Sequence, residues 1–316
     1  LSEALLYGTG TIRKLGRVDH KDAFLDTDAL EKARGITIFS KQALFTAGNT
    51  DFTLLDTPGH VDFSTETERT LQVLDYAVLV ISGTDGVQSH TETLWRLLRR
   101  YRIPTFVFVN KMDLPGKSRE ELLAQLNHRL GEGFVAFDVP QADRDEALAL
   151  CDENLMDRML DAGQLTDADL IPAVARRHVF PCWFGSALRR TENDALESVD
   201  ALLDGIDRYT RPAPALDAFG AKVFKVSQDE QGTRLTWLRV TGGELKVKAQ
   251  LSGETDGEPW EEKANQLRLY SGTKYTLAET IHPGQVCAVT GLTKARQGEG
   301  LGAEPVSYTH LRAHET

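Results

Sequence analysis

Four short stretches of the chain carry residues whose types and spacing suit phosphate and nucleobase chemistry. The first is "DTPGH", residues 56–60, which follows the apolar run "FTLL". Ligands in open α/β sheets bind beyond the carboxyl ends of strands, so a carboxylate placed as Asp56 is can hold a metal ion through its waters. Thr57 and Pro58 make the turn. Gly59, lacking a Cβ, lets the backbone come close to a terminal phosphate and donate its N–H, and His60 then presents a ring to a water attacking that phosphate. Taken alone, D-T-P-G is also an ordinary β-turn.

The second stretch is "NKMD", residues 110–113, directly after the apolar run "PTFVFV". Guanine presents its N1–H and its exocyclic amine side by side, and the two oxygens of Asp113 match that pair. Adenine has no such pair, so a carboxylate buried against it would be left unpaired, which is a strong basis for rejection. Asn110 can bond the other edge of the base and the loop backbone, the Lys111 stem can cover the ring face, and Met112 completes the tetrapeptide.

The third is "GSAL", residues 185–188, after "VFPCWF"; its small residues let N–H groups near Ser186 and Ala187 reach the base oxygen. The fourth is "EKARGITI", residues 31–38, in which Thr37 can give its hydroxyl to Mg²⁺ and its N–H to a γ-phosphate, holding a loop that hydrolysis would release. Each of the last two is weak alone. Their order along the chain is what gives them weight.

The elements that must position these residues are legible as alternation. From residue 43 to about 208, short apolar runs alternate with amphipathic stretches, the pattern of parallel strands joined by helices. "QALFTA" and "DFTLLD" flank Gly48-Asn49 as a hairpin, while "YAVLVIS", "PTFVFVN" and "VFPCWFG" read as buried strands. "TERTLQVL", "TETLWRLLRRY", "REELLAQLNHRL" and "DALESVDALLDGIDRY" repeat apolar residues at helical spacing. The expected fold is therefore α/β, a doubly wound nucleotide-binding domain over residues 1–212. Two prolines in "TRPAPALD" mark a linker near residue 213. Beyond it "AKVFKVS", "TRLTWLRVTGG", "ELKVKAQL", "KANQLRLY" and "GQVCAVTGL" read as strands of an antiparallel β-barrel over residues 213–304. The last stretch, "VSYTHLRAHET", fits neither pattern and reads as a foreign or disordered tail within residues 305–316.

Composition excludes several classes. The 316 residues, 41% of them hydrophobic, suffice for two domains, and no apolar run approaches the roughly 20 residues that cross a bilayer, so a cytoplasmic protein without a membrane partner is expected. Three widely spaced cysteines, with no C-x-x-C, point to buried thiols rather than to disulfides or structural zinc. A net charge of −11 argues against a uniformly basic nucleic-acid coat but leaves local RNA contact open. "RLLRRYR", residues 96–102, gathers cations on one helix and reads as a solvated face.

Taken together, the four stretches resemble the GTPase domain of translation factors: "RGITI" the first switch, "DTPGHVDF" the second, "NKMD" the guanine-specificity motif and "GSAL" the base-oxygen loop. A His after D-T-P-G resembles the translational branch, and the β-rich part after the linker resembles its second domain; the likeness spans about residues 1–303. The resemblance implies a ribosome-dependent enzyme hydrolysing GTP with Mg²⁺. Thr37 and Asp56 would serve the metal, the latter through water, and His60 would orient the nucleophile. Thr57, Pro58 and Gly59 would line the phosphates, and Asn110, Lys111, Met112, Asp113, Ser186 and Ala187 the base. It also implies a monomer that meets small-subunit RNA through the barrel and large-subunit RNA near the GTPase site. Within the branch, "DGVQSHTETLWRLLRRYRIPTFVFVNKMD" and the short interval 114–184 favour the ribosomal-protection proteins that release tetracycline, with elongation factor G and the related release factor as alternatives. Against the family pattern, the opening "LSEALLYGTG" reads as a first helix whose apolar face includes Leu1, Ala4 and Leu5 and whose stop is Gly8. The Gly-rich phosphate loop that precedes that helix in the family is missing. Weak GTP binding by this chain is therefore expected, and a non-catalytic ribosome-binding module is the reading from a different class. A stand-alone signalling GTPase is disfavoured by His60 and by the appended β-rich part.

Overall fold

A computed structural model of the chain describes residues 1–16, 24–25, 41–59, 64–189, 196–255 and 257–304. Thr37, His60 and the tail at 305–316 lie outside the described residues. Contacts divide the chain into two compact units: Leu1–Phe24, Phe45–Phe52 and Leu74–Arg211 in one, and Leu25–Leu44, Thr53–Val73 and Pro212–Thr316 in the other.

The first unit is built on a parallel four-stranded sheet in the order β3 (Ala77–Ser82), β4 (Thr105–Asn110), β6 (Phe180–Phe184) and β5 (Phe134–Ala136). Strand β6 and the interior of β4 (Phe106 to Val109) are apolar because both of their faces are covered. Phe106, Phe108 and Trp183 pack with Leu148, Leu170, Val174 and Leu202 from the helices. Register pairs Ser82 with Asn110 and Val109 with Phe184, so the loops after β3, β4 and β6 leave the sheet at one edge. That alignment brings distant motifs together.

Helix α1 (Ser2–Gly8) buries Ala4, Leu5 and Leu6. Ser2 does not cap it, and Gly8 is its last helical residue rather than its stop. The turn closes at Thr9, whose Oγ1 donates to Leu5 O at 3.0 Å, and at Gly10, with φ of 71°. Strands β1 (Lys41–Ala47) and β2 (Thr50–Asp56) pair with each other across Gly48-Asn49. Helix α2 (Ser64–Leu71) stops three residues before the end of the periodic run "TERTLQVL". Helices α3 (Ser89–Arg100), α4 (Arg119–Leu130) and, at the end of the unit, α8 (Glu197–Tyr209) follow the periodicity closely, α4 because Ser118 and Glu121 form a reciprocal cap. Three further helices, α5 (Gln141–Ala149), α6 (Glu153–Ala162) and α7 (Asp167–Ala175), fill the interval between β5 and β6. Asp152 caps α6 by accepting from the N–H groups of Asn154 and Leu155. Buried Asp145 ties α5 to the loop before α7 through Leu165 N at 3.0 Å.

The second unit is dominated by an antiparallel six-stranded sheet. Its order is β13 (Lys274–Ala278), β12 (Gln266–Ser271), β15 (Val286–Thr290), β8 (Arg234–Gly242), β7 (Gly220–Gln228), β16 (Gly300–Gly302). One face buries Val223, Leu238, Val240, Leu267, Cys287 and Val289. Two small antiparallel pairs complete it, β9 (Leu245–Lys246) with β14 (Thr280–Ile281), and β10 (Gln250–Thr255) with β11 (Glu258–Lys263). "ELKVKAQL" is thus not one strand. Lys248 takes a left-handed φ of 64° and the chain turns there, Ala249 N donating to Lys246 O. The other face of the large sheet carries Phe224, Val286 and Trp237, which pack with Leu55 and Val73.

Candidate functional site

The stretches flagged for base recognition meet at the common edge of the parallel sheet. Asn110 ends β4, and its side-chain oxygen accepts from Ala187 N at 2.9 Å, bridging "NKMD" to "GSAL". Backbone bonds reinforce the bridge: Met112 N donates to Gly185 O at 3.0 Å and Gly185 N to Val109 O at 2.9 Å. From the loop after β3, Gly83 N donates to Asn110 O at 2.7 Å. A Cβ at Gly185 would stand 2.1 Å from Ser198 Cβ, so α8 can begin this close only because residue 185 has no side chain. Lys111 turns the corner with φ of 66°.

This bracing assigns roles to the atoms left over. With its oxygen held by Ala187, the Asn110 amide directs its NH₂ away from the bridge, a donor for an acceptor on a ligand's edge. On the same loop, Asp113 and Lys111 are exposed. The Ala187 N–H is committed to Asn110, so the loop's remaining small-residue donor is Ser186 N; the Ser186 hydroxyl meanwhile accepts from Leu188 N and Arg189 N at 3.4 and 3.3 Å.

Sequence reasoning missed the loop after β3. Its "SGTDG" follows a strand at the same sheet edge, and that placement was the available signal. Asp85 is held below the usual carboxylate range by the hydroxyls of Ser82 and Thr84, and Lys117 Nζ donates to Asp85 O at 2.9 Å.

The "DTPG" turn belongs to the second unit. Asp56 ends β2, Pro58 is buried, and Gly59 is exposed. Thr67 on α2 donates from Oγ1 to Pro58 O at 3.0 Å, a buried bond that sequence reading did not anticipate. A Cβ at Gly59 would meet nothing within 4 Å, so contacts among the described residues place no steric demand for glycine there. Among the described residues no cluster of three His, Cys, Asp or Glu side chains could hold a metal ion, and no helix is long and apolar enough to cross a membrane.

Residues 1–212 match the family described as "Elongation factor Tu GTP binding domain". The chain is 35% identical to the tetracycline resistance protein TetM of Streptomyces lividans, covering 96% of this chain and 50% of that one. It is 34% identical to the oxytetracycline resistance protein of Streptomyces rimosus, over 96% and 50%, and 29% identical to elongation factor G of Ureaplasma urealyticum, over 95% and 52%. A crystal structure of a Thermus thermophilus protein superposes with a TM-score of 0.80 at 25% identity, over 96% of this chain and 52% of that one. The chain spans about half the length of the curated relatives it matches.

Proposed function

The chain belongs to the translational GTPase family, and from that premise we propose that it is the nucleotide-binding part of a ribosome-dependent GTPase of the ribosomal-protection type, hydrolysing GTP to GDP and phosphate. The observation that carries the base half of the reading is the Asn110 to Ala187 bond, which fixes an amide donor on the loop that also carries the exposed Asp113. A donor facing one edge of a purine and a two-oxygen acceptor facing another fit guanine and not adenine. Lys111, Met112 and Ser186 complete the base site, with Ala187 acting through Asn110.

For the phosphate half, Asp56 would hold the metal through water and the Gly59 N–H would donate to the terminal phosphate, while Thr57 and Pro58 shape the turn, Thr37 would give a hydroxyl to the metal, and His60 would orient the water. Mg²⁺ suits this donor set, because it keeps several waters and binds through one or two protein oxygens plus phosphates, and it would neutralise charge on the phosphoryl group in transfer. Two relatives named for resistance to tetracyclines, at 35% and 34% identity, support the protection type over elongation factor G at 29%. The proposal further takes residues 1–212 as the GTPase domain and 213–304 as a β-barrel that meets small-subunit RNA, with large-subunit RNA near the GTPase site, in a cytoplasmic monomer.

Two measurements test the reading. Asp113→Asn should move preference from guanosine toward xanthosine nucleotides by about a hundredfold, because the amide offers a donor where the carboxylate accepted. In the complete reading frame, His60→Ala should abolish ribosome-stimulated phosphate release while leaving nucleotide affinity intact. An unchanged base preference would remove the guanine assignment, and an unchanged release rate would remove the role of His60.

A further inference from the structure

We propose that the arginine-rich end of the first unit, formed by Arg96, Arg99, Arg100, Arg102 and Arg176, is a docking surface for the phosphate backbone of RNA. It lies apart from the base-recognition loops. Arg102 precedes β4 and Asn110 ends it, and the six residues of that strand put roughly 20 Å between its two ends.

Two helices finish side by side at this end. α3 closes with Arg102 at φ of 54° and α7 with Arg177 at φ of 64°, positions where glycine avoids a strain of about 1 kcal/mol. Arg177 repays its conformation inward. Its guanidinium donates to Ile103 O and, at 3.2 Å, to Thr105 Oγ1, and it lies over the rings of Trp95 and Phe180 at 4.8 and 5.1 Å. Arg102 is exposed and does none of this. What remains for its side chain is outside the molecule.

The charges at this end are crowded. Arg96, Arg99 and Arg100 stand at i, i+3 and i+4 on one helix, a spacing at which like charges repel. Arg96, Arg99, Arg102 and Arg176 are all exposed, and none forms an ion pair with a carboxylate among the described residues; Arg96 bonds the Thr93 hydroxyl at 3.2 Å. Burial lowers the Arg177 pKa to about 10, and the nearby positive charge of Arg99 adds to the effect. His178, the next residue, is already engaged by Asp152. A chain of net charge −11 therefore holds a local surface that gains from a polyanion.

Helix C-termini attract cations, which accounts for charges within the last turn, but Arg96 lies a full turn back. The surface is arginine without lysine from residue 96 to 102, and the guanidinium fork matches phosphate oxygens in pairs. Arg100 also lies over the Tyr101 ring at 5.8 Å, a combination suited to nucleotides more than to an acidic peptide. The identification of that RNA as ribosomal rests on the proposed function; the phosphate chemistry of the surface does not.

The test compares the wild-type chain with a variant carrying Arg96→Gln, Arg99→Gln, Arg102→Gln and Arg176→Gln, leaving the bracing Arg177 in place. A fluorescein-labelled RNA hairpin is titrated by anisotropy across a salt series, and both proteins are sedimented with purified ribosomes. Removing four phosphate contacts should reduce the slope of log affinity against log salt by about 3 and lower affinity at least tenfold at low salt. The same four positions changed to Lys should keep the wild-type slope, which separates charge from misfolding. Arg102→Gly, which removes one charge and relieves its backbone, should raise the melting temperature and still weaken hairpin binding by about threefold. An unchanged slope and affinity on the hairpin would overturn the inference. So would loss of ribosome sedimentation with hairpin binding intact, which would make the partner a protein. If the hairpin responds as expected but neither protein sediments with ribosomes, the surface stands and the ribosomal reading fails.

Discussion

The base-recognition loops and the "DTPG" turn both follow strands, yet they are held in different ways. Around Asn110, three loops from β3, β4 and β6 are laced by backbone bonds from Gly83, Met112, Gly185 and Ala187. Among the described residues, the turn at Thr57–Gly59 takes a buried hydroxyl from Thr67 on another element in place of such a ladder. On the proposed function, base specificity would be built into the backbone before any ligand arrives. The phosphate side depends on what α2 and the neighbouring segments do.

Substitutions can break or sharpen that contrast, read as urea unfolding of the chain. The largest loss is expected from Gly185→Ala, whose Cβ collides with Ser198 Cβ and forces the loop and α8 apart, costing about 2–3 kcal/mol. Asn110→Ala should follow at about 2 kcal/mol, because it leaves the Ala187 N–H, on a residue only 2% exposed, without an acceptor. Thr67→Val keeps the side-chain shape and removes only the bond to Pro58 O, so about 1 kcal/mol is expected. Gly59→Ala should change stability by no more than about 0.5 kcal/mol, since its Cβ meets open space. If Gly59→Ala nevertheless stops hydrolysis in the complete reading frame, glycine is required there by the ligand and not by the fold. Equal losses for Gly185→Ala and Gly59→Ala would dissolve the distinction altogether.

Much of the fold is legible in local pattern. β4 reads as buried because its "FVFV" is an unbroken apolar run, and α4 is bounded by a Ser and a Glu three residues apart, which local chemistry alone specifies. The interval between β5 and β6 is harder. Helices α5 to α7 are only nine or ten residues long and are organised by side chains such as buried Asp145, whose partner Leu165 lies twenty positions away. The break in "ELKVKAQL" escapes pattern reading because a lysine, not a glycine, takes the left-handed conformation. The motifs themselves are recognisable by residue type, but the Asn110 to Ala187 bond joins residues 77 positions apart and has no local signature. Thr67 was equally invisible, since a threonine inside an amphipathic run gives no sign of the carbonyl it will meet.

The anchored amide of Asn110 has a kinetic consequence. If this loop holds a purine as proposed, a side chain already locked in one rotamer loses no freedom on its arrival, and capture of the base would require no slow rearrangement of the loop. Differences in affinity between nucleotides at this site should then appear in how long each one stays, with arrival rates nearly alike.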